Sequence, residues 1–439
     1  MPLLIFTIFL LFLTGCDSVK QRINWITQTI NAKNSQPHPS QAQLDAFFGF
    51  KPEKNHPYLD IEFQKNLDSK TKSRLTAGNQ INLLPNAQSL KLKLNLIQHA
   101  QKSIFVSTFH IVCDEGGKIF AKALMAAQKR GIDVRLLVTG GPWTWAFSGE
   151  CPVWIQRQNI QVGIMPYSYL TNHGVVQLHD KIFIIDSKLA IVGGQNIGSW
   201  YSKKKQEDGS FRDTDAIVSG PVIQDILKRF VNLWKIARPN DSSLKPPNTL
   251  PSTEHYGAWL KNSPPRGLCR FVAQMPSKKD FSVFEAYKLY ALKTEQRILF
   301  HSLALNAFGS LEQETLWESF VKVAQKSGGK VFLITNGPGF ISSDMMPPWI
   351  GKITGYYFLN SVYDSLFGTP IQAFAYPSWL HSKVYFFDNL AVAIGSFNFD
   401  ESGVVWTESS LICLDRNLAE QTITMFQEDL ESSYLLNPP

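Results

Sequence analysis

The sequence has no hydrophobic run long enough to cross a bilayer. Its longest apolar stretch, Leu3 to Leu13, is well short of the roughly 20 residues that a membrane-spanning helix needs. No Lys or Arg precedes this stretch, although a secretory signal peptide usually carries its positive charge there. The length nevertheless suits the apolar centre of a signal peptide, so we expect a targeting segment rather than a membrane span.

The apolar stretch ends in Leu13-Thr14-Gly15-Cys16. This ending resembles the lipobox of bacterial lipoproteins, where a small residue precedes a cysteine that is lipidated and becomes the mature N-terminus. The resemblance implies that residues 1–16 are a lipoprotein signal peptide and that Cys16 carries the lipid. We then expect a lipid-anchored membrane protein of the bacterial cell envelope, facing the periplasm or the exterior. A chance cysteine after a plain signal peptide, or an uncleaved anchor, is the alternative.

Cysteine is scarce, with five in 439 residues. Besides Cys16, two fall in each half of the chain, namely Cys113, Cys151, Cys269 and Cys413. An oxidising compartment permits disulfides, and four cysteines allow three connectivities that the sequence does not resolve. One bridge per half and buried free thiols are both open.

The bulk composition is that of a folded protein, with 44% hydrophobic and 12% aromatic residues. These values exclude a chain that is disordered as a whole. A length of 439 residues exceeds what one hydrophobic core usually serves, which predicts two core-bearing units. The formal net charge of +7 favours polyanionic partners, either anionic lipid surfaces or nucleic acid, unless it serves solubility alone.

The order helix, strand, helix, strand occurs twice along the chain. The predicted elements are 89–102, 104–111, 119–129 and 134–138, and then 286–294, 298–303, 316–326 and 331–335. Such crossovers predict an α/β fold of two similar halves, with mixed, mostly parallel sheets flanked by helices and packed about a pseudo-two-fold axis. We place the halves at 76–240 and 268–439, with a connector at 241–267 and a polar tether at 17–75.

One motif recurs in both halves with identical spacing. In the first half it consists of His179, Lys181, Asp186 and Asn196, and in the second half of His381, Lys383, Asp388 and Asn398. His and Lys alternate along a predicted strand, so their side chains face the same side. One match of His, Lys and Asp at this spacing has odds of about a few per cent of arising by chance. Two matches at corresponding places of a duplication indicate a site built from both halves.

The paired motif resembles that of the phospholipase D superfamily, in which two such motifs form one site between the halves. The resemblance extends from about residue 80 to the C-terminus. Within the superfamily, the stretches 192–198, 213–222 and 394–400 resemble those of bacterial cardiolipin synthases. The resemblance implies an enzyme that acts on phosphodiesters through a phosphohistidine intermediate, without a metal or another cofactor.

The residue types suit this chemistry. Lys181 and Lys383 neutralise the phosphodiester, and the amides of Asn196 and Asn398 donate hydrogen bonds to its non-bridging oxygens. One neutral imidazole attacks phosphorus, and a second, protonated imidazole protonates the leaving alkoxide. By analogy with relatives, we expect His179 to be the nucleophile and the histidine of the second motif to be the acid and base.

Each histidine needs an acidic partner on its other ring nitrogen, which fixes the tautomer. Asp215 and Glu408 are the candidates, since both follow the motif asparagines on the next predicted strand. Asp186 and Asp388 lie at the far end of the motif strands, where an anchoring role suits them. Ser396 is a candidate phosphate ligand.

The motif alone does not decide the substrate. An expected membrane anchor, apolar aromatic loops at 142–147 and 345–350, and the resemblance to cardiolipin synthases favour an anionic phospholipid membrane as partner. The predicted reaction is phosphatidyl transfer to phosphatidylglycerol, with a phospholipid or a small alcohol as acceptor. Phospholipase D hydrolysis to phosphatidic acid and an extracytoplasmic nuclease are the alternatives, although nucleic acid is the less expected partner.

Overall fold

The structure is a computed structural model that describes most of the chain. The described residues are 17–31, 38–51, 56–140, 151–158, 160–165, 177–201, 210–247, 255–261, 266–337 and 358–436. Cys16 and the two loops expected to contact lipid lie outside these residues. Within the described part, no helix is both long enough and apolar enough to cross a membrane.

Helices and strands alternate along most of the chain. The helices are α1 (Asp17–Asn31), α2 (Gln41–Phe48), α3 (Ile61–Thr71), α4 (Gln88–His99), α5 (Glu115–Lys129), α6 (Cys151–Arg157), α7 (Ile223–Ala237), α8 (Tyr256–Leu260), α9 (Ser282–Lys293), α10 (Leu311–Ala324), α11 (Glu401–Val405) and α12 (Arg416–Glu431), with a further helix at 358–366. The strands are β1 (Gln80–Pro85), β2 (Ser103–Thr108), β3 (Asp133–Thr139), β4 (Gln161–Met165), β5 (Ile182–Ile185), β6 (Leu189–Gly193), β7 (Phe211–Arg212), β8 (Thr214–Ser219), β9 (Leu268–Gln274), β10 (Arg297–His301), β11 (Lys330–Asn336), β12 (Gln372–Tyr376), β13 (Trp379–Leu380), β14 (Val384–Phe387), β15 (Ala391–Gly395), β16 (Glu408–Leu414) and β17 (Tyr434–Leu435).

The two halves form sheets with the same strand order. The first sheet runs β1-β8-β6-β5-β2-β3-β4, and the second runs β9-β16-β15-β14-β10-β11-β12, with β17 added at its edge. Strand for strand, the second sheet repeats the first. The prediction of two similar α/β halves is therefore confirmed.

The expectation of mostly parallel sheets is wrong. In each sheet only the pairs made by the strand–helix–strand crossovers are parallel, β2–β3–β4 and β10–β11–β12, and the remaining neighbours are antiparallel. The cause is a hairpin after each motif strand. Its turn places Asp186 and Ser187 at φ 53°, and Asp388 and Asn389 at φ 49° and 52°. Two consecutive left-handed residues make a tight turn that reverses the chain.

Corresponding helices of the two halves begin with side-chain caps. The Asp114 carboxylate accepts a hydrogen bond from the Gly117 N–H at 3.0 Å, which starts α5. The Ser310 hydroxyl accepts one from the Gln313 N–H at 3.2 Å, which starts α10. Each cap satisfies a backbone donor that the first helical turn leaves unpaired.

Three hydrophobic cores hold the layers together. One lies between the first sheet and α4, α5 and α6, and one lies between the second sheet and α3, α9 and α10. The third is shared by both halves, because it joins the inner faces of both sheets to α7 and α12. This shared core fixes the two motif strands relative to each other.

Residues 17–75 were expected to be a tether, and the described part of them is not. Trp25 of α1 and Leu67 of α3 are buried in the core of the second half. Phe47 of α2 is buried in the shared core. The connector is also partly folded, since Tyr256 of α8 is buried and its hydroxyl donates to the Asp68 carboxylate at 2.9 Å. These few buried residues are difficult to recognise in the sequence because polar surface residues surround them.

Two disulfides are present, one in each half. Cys113 is bonded to Cys151 at the start of α6, and Cys269 of β9 is bonded to Cys413 of the neighbouring strand β16. Of the alternatives that the sequence left open, one bridge per half is the outcome.

Candidate active site

The two motifs meet where the halves touch. His179 and Lys181 lie in the extended segment just before β5, and His381 and Lys383 lie just before β14. Two equivalent backbone pairings join each motif to the other half. Leu178 pairs with Thr407, and Leu380 of β13 pairs with Arg212 of β7. The repeated pairing is what a pseudo-two-fold axis through the site requires.

Each motif histidine pairs with an acidic residue of the opposite half. His179 Nδ1 is 2.8 Å from Glu408 Oε1, and His381 Nδ1 is 2.6 Å from Asp213 Oδ2. Both carboxylates are fully buried, whereas the His381 side chain is 12% exposed. A carboxylate on Nδ1 places the proton of a neutral imidazole there and leaves the Nε2 lone pair for chemistry.

Asp213, and not Asp215, is the partner of the second histidine. Asp215 instead accepts hydrogen bonds from Lys93 Nζ at 2.8 Å and from the Ser89 hydroxyl at 2.5 Å. The strand registers show why: Gly193 lies opposite Asp215 in the first sheet, and Gly395 lies opposite Ser410 in the second. Two residues before these positions are Asp213, directly ahead of β8, and Glu408, the first residue of β16. The strand register, which only the structure supplies, thus identifies Asp213 as the counterpart of Glu408.

The site disfavours positive charge on its histidines when no substrate is bound. Burial lowers the pKa of both His179 and His381 well below the usual value, and the ammonium groups of Lys181 and Lys383 lower it further. Burial also lowers the pKa of Lys181 to about 7 and that of Lys383 to about 8. An anionic phosphodiester would offset this crowding of positive charge and favour protonation of one imidazole.

Burial shifts the pKa values of the two acidic partners in the opposite direction. Burial raises the pKa of Asp213 to about 7 and raises that of Glu408 well above its usual value. Each histidine–acid pair therefore holds its proton between two groups that are both reluctant to carry charge. A negatively charged substrate would shift this balance toward a protonated imidazole.

The motif lysines and asparagines border the histidines. Lys181 Nζ donates to the backbone carbonyl of His179 at 2.7 Å, and Lys383 Nζ donates to that of His381. The Asn196 amide donates to the Tyr201 hydroxyl at 3.1 Å. The Asn398 amide donates to the Ser402 hydroxyl at 3.4 Å. These donors are buried at the site and are oriented within it.

Ser396 lies behind Glu408 and positions it. Its hydroxyl donates to Glu408 Oε2 and accepts a hydrogen bond from the Ser409 N–H at 3.0 Å. The structure therefore places Ser396 as a support of the acid rather than as the expected phosphate ligand. The equivalent residue Gly194 has no side chain because a Cβ there would lie 2.2 Å from Asp213 Oδ1. The shorter acid occupies the space that the serine hydroxyl fills in the other half.

Asp186 and Asp388 hold backbone at the far ends of the motif strands. Asp186 accepts hydrogen bonds from the N–H groups of residues 101–103. Asp388 accepts them from residues 295–297 and from His56 Nε2 at 2.9 Å. Asp186 thus anchors the loop that leads into β2, and Asp388 anchors the one that leads into β10.

A buried ion pair that the sequence analysis did not anticipate supports the His179 side. The Asp180 carboxylate accepts two hydrogen bonds from the Arg229 guanidinium of α7, both at 3.0 Å. It also accepts one from the Thr407 hydroxyl at 2.6 Å. That hydroxyl in turn accepts a hydrogen bond from the His179 N–H at 3.2 Å. The pair thus holds His179 against the strand that carries Glu408.

The His381 side also has a carboxylate, a guanidinium and a hydroxyl, but each lies on a different element than on the His179 side. On the His179 side the carboxylate is on the motif, the guanidinium on the helix and the hydroxyl next to the strand. The guanidinium is now on the strand, as Arg212, and the carboxylate is on the helix, as Asp429 of α12, with a closest distance of 2.6 Å. The hydroxyl is on the motif, as Ser382, which donates to Thr214 Oγ1 at 3.0 Å. A single sequence cannot reveal this exchange, because its members are far apart along the chain.

Aromatic rings border both histidines. Phe109 and Trp406 lie beside His179, with ring centroids 5.5 and 5.0 Å from the imidazole. Tyr201 and Phe211 lie beside His381 at 5.5 and 5.9 Å. These rings exclude water from the imidazoles and strengthen the electrostatic interactions of the site.

One group in the described residues has ligand atoms close enough together to hold a metal ion, namely His56, Glu295 and Asp388. His56 Nδ1 accepts a hydrogen bond from the Tyr58 N–H at 3.2 Å, and Nε2 faces Asp388. Both ring nitrogens of His56 therefore have a hydrogen-bond partner. The group lies at the end of β14 that is away from His381. It fits a structural hydrogen-bond network.

Two imidazoles, each with a carboxylate on Nδ1, two lysines and two asparagines form a site whose groups could neutralise a phosphodiester and exchange protons with it. Comparison with a family described as "Cardiolipin synthase, PLD-like domain" matches residues 94–234 and 293–430, one segment in each half. The chain belongs to this family of the phospholipase D superfamily. The prediction of the superfamily and of a phosphodiester transferase or hydrolase is confirmed.

Curated relatives cover most of the chain at low identity. A cardiolipin synthase of Clostridium perfringens is 25% identical over 98% of this chain and 85% of its own length. Cardiolipin synthase A of Pseudomonas fluorescens is 24% identical over 80% of this chain and 69% of its own length. The crystal structure of phosphatidylserine synthase from Haemophilus influenzae superimposes with a TM-score of 0.62 at 14% identity, over 85% of this chain and 92% of that one. The last comparison shows a shared fold.

Proposed function

We propose that this protein is a phosphatidyltransferase that forms cardiolipin from phosphatidylglycerol. The observation that carries the proposal is the pairing of His179 with Glu408 and of His381 with Asp213 across the two halves. The pairing supports a division of roles in which one imidazole acts as nucleophile and the other as acid–base group. The names of the curated relatives above support a lipid substrate.

The first step transfers a phosphatidyl group to the enzyme. His179 Nε2 attacks the phosphorus of a phosphatidylglycerol, and the bond from phosphorus to the headgroup glycerol oxygen breaks. Protonated His381 gives its proton to that oxygen, so glycerol leaves as a neutral alcohol. Lys181 and Lys383 stabilise the negative charge on the non-bridging oxygens during the displacement.

The second step releases the product. His381, now neutral, removes the proton of a headgroup hydroxyl on a second phosphatidylglycerol. The resulting oxygen attacks phosphorus and the bond to His179 breaks, which yields cardiolipin and restores both imidazoles. Two molecules of phosphatidylglycerol thus give one cardiolipin and one glycerol, and atoms and charge balance without a redox partner.

The test is product analysis with purified protein and vesicles of phosphatidylglycerol. Wild type should form cardiolipin and glycerol in equal amounts, and His179→Ala and His381→Ala should form neither, because losing either histidine stops both steps. Mass spectrometry of trapped protein should locate the phosphoryl group on His179. A phosphoryl group on His381 would reverse the two roles, and none on either histidine would remove the covalent mechanism.

Two alternatives make different products in the same assay. A phospholipase D would give phosphatidic acid in place of cardiolipin, since water instead of a lipid alcohol would attack the intermediate. A nuclease would leave the lipids unchanged and would degrade single-stranded DNA supplied separately. Expression in a bacterium without its own cardiolipin synthases, with His179→Ala as the control, gives the corresponding answer in cells.

We also propose that the protein is anchored in the cell envelope through a lipid on Cys16. The two disulfides support an oxidising compartment, because such bonds persist outside the cytoplasm. Cys16→Ala should release the protein from membranes or block its processing, as fractionation and immunoblotting would show. A mature form that keeps residues 1–15, or one cut elsewhere and released from membranes, would refute the anchor.

A further inference from the structure

An apolar cluster adjoins the His381 side of the site. It consists of six side chains from both halves, here called the mouth cluster: Trp200, Tyr201, Phe211, Leu303, Phe358 and Trp379. Tyr201, Phe211 and Trp379 are buried, and the other three are half-buried and pack against them. Trp200, Leu303 and Phe358 are thus each partly exposed at the edge of the cluster.

The mouth cluster is continuous with His381. The Phe211 ring lies nearly parallel to the imidazole, with centroids 5.9 Å apart and an angle of 18° between the planes. Trp379 stacks on Phe211 at 5.2 Å, and Trp200 lies 5.8 Å from the same ring. A molecule that presents a hydroxyl to His381 would therefore lie against these rings.

Two of the equivalent positions around His179 are polar, although the rings of Phe109 and Trp406 also border that imidazole. The residues 202 positions apart correspond between the motifs, since His179 corresponds to His381. At this offset Trp379 corresponds to Gln177, and Trp200 corresponds to Ser402. At these two positions the site is not symmetric, because the His381 side carries tryptophans where the His179 side carries polar residues.

We infer that the mouth cluster binds the apolar part of a lipid alcohol, the acceptor in the second step. The inference rests on the proposed function, in which His381 deprotonates the acceptor. Side chains next to His381 contact the acceptor during this deprotonation. Burial of apolar surface against them favours a lipid acceptor over water. The cluster is then the feature that directs the intermediate toward transfer rather than hydrolysis.

The experiment measures how the intermediate divides between acceptors. Wild type, Trp200→Ser and Phe358→Ser are incubated with phosphatidylglycerol vesicles, and the ratio of cardiolipin to phosphatidic acid is determined. The ratio should fall roughly tenfold or more in both variants, as is usual when apolar contact with a bound group is lost. Leu292→Ser is the matched control, because Leu292 is 50% exposed on α9 and lies outside the cluster.

A second acceptor separates lost binding from a disturbed site. Ethanol has no acyl chain, so the ratio of phosphatidylethanol to phosphatidic acid should be the same in Trp200→Ser as in wild type. An unchanged cardiolipin ratio in both variants, with cardiolipin formed by wild type, would overturn the inference alone. A parallel fall of the ethanol ratio would also overturn it, by showing a general loss of alcohol reactivity. A wild type that forms neither lipid would overturn the proposed function instead.

Discussion

Replacing Asp213 with Asn tests the pairing of the site most directly. Asparagine keeps the size of the side chain and can still accept a hydrogen bond, but it removes the negative charge next to His381. The carboxylate is fully buried and lies 2.6 Å from Nδ1, so water is not in place to restore the lost interaction. Protonated His381 then loses the group that stabilises it.

The expected loss falls in the range of general acid–base catalysis. A positioned proton donor contributes about 10²–10⁴-fold in rate. We expect Asp213→Asn to lower kcat by about 10³-fold, which is equivalent to about 4 kcal/mol at the transition state. KM should change little, because the lysines and asparagines that neutralise and orient the phosphate are untouched. The assay is steady-state glycerol release from phosphatidylglycerol vesicles.

Asp215→Asn is the matched control, two residues away on the chain. It removes the carboxylate that pairs with Lys93, whose side chain is 6% exposed. An unpaired buried charge costs about 3–5 kcal/mol, so urea denaturation should show a loss of stability while kcat remains much nearer to wild type. If Asp215→Asn lost kcat and Asp213→Asn kept it, the assignment of the acidic partner would be wrong.

Three further perturbations probe the supports of the site. Arg229→Met should lower the free energy of unfolding in urea by about 3–5 kcal/mol, because Asp180 stays buried without its counter-charge. Adding Asp180→Asn should recover part of this loss, and the absence of any recovery would contradict the ion pair. Because burial lowers the pKa of Lys181 to about 7, kcat/KM should fall as the pH rises through about 7 to 8 and the ammonium group loses its proton. Lys181→Arg should shift this fall to higher pH. A fall at the same pH in the variant would exclude Lys181 as its cause. Asp388→Ala should lower Tm more than Asp186→Ala, because Asp388 is fully buried and water cannot replace its hydrogen bonds, and equal losses would contradict that reasoning.

The repeated elements and motifs could be predicted from sequence because they are local. The periodicity of residues 119–129 and 316–326, and the spacing of each His–Lys pair, depend on neighbours along the chain. The bounds predicted for these two helices lie within a few residues of the bounds of α5 and α10. The chemistry of the motif identified the family before any contact was known.

The errors arose where distant segments meet or where turn chemistry is unusual. Asp213 was missed because the connection from Asn196 is longer than the one from Asn398, so the strand position could not be counted without the register. The antiparallel hairpins were missed because their turns use Asp-Ser and Asp-Asn in place of a glycine pair. The contacts of Phe47 and Trp25 depend on a core that forms from the other half of the chain.

The exchange of acidic partners between the halves has a consequence for the newly made chain. A ribosome that has synthesised the first half has produced His179 and Lys181, but the acid for His179 is Glu408, on a strand that does not yet exist. Domains generally fold in the order of their synthesis, so the first half can fold early and still lack its partner. Competence for phosphoryl chemistry therefore begins only after residue 408 has been made and the two sheets have docked.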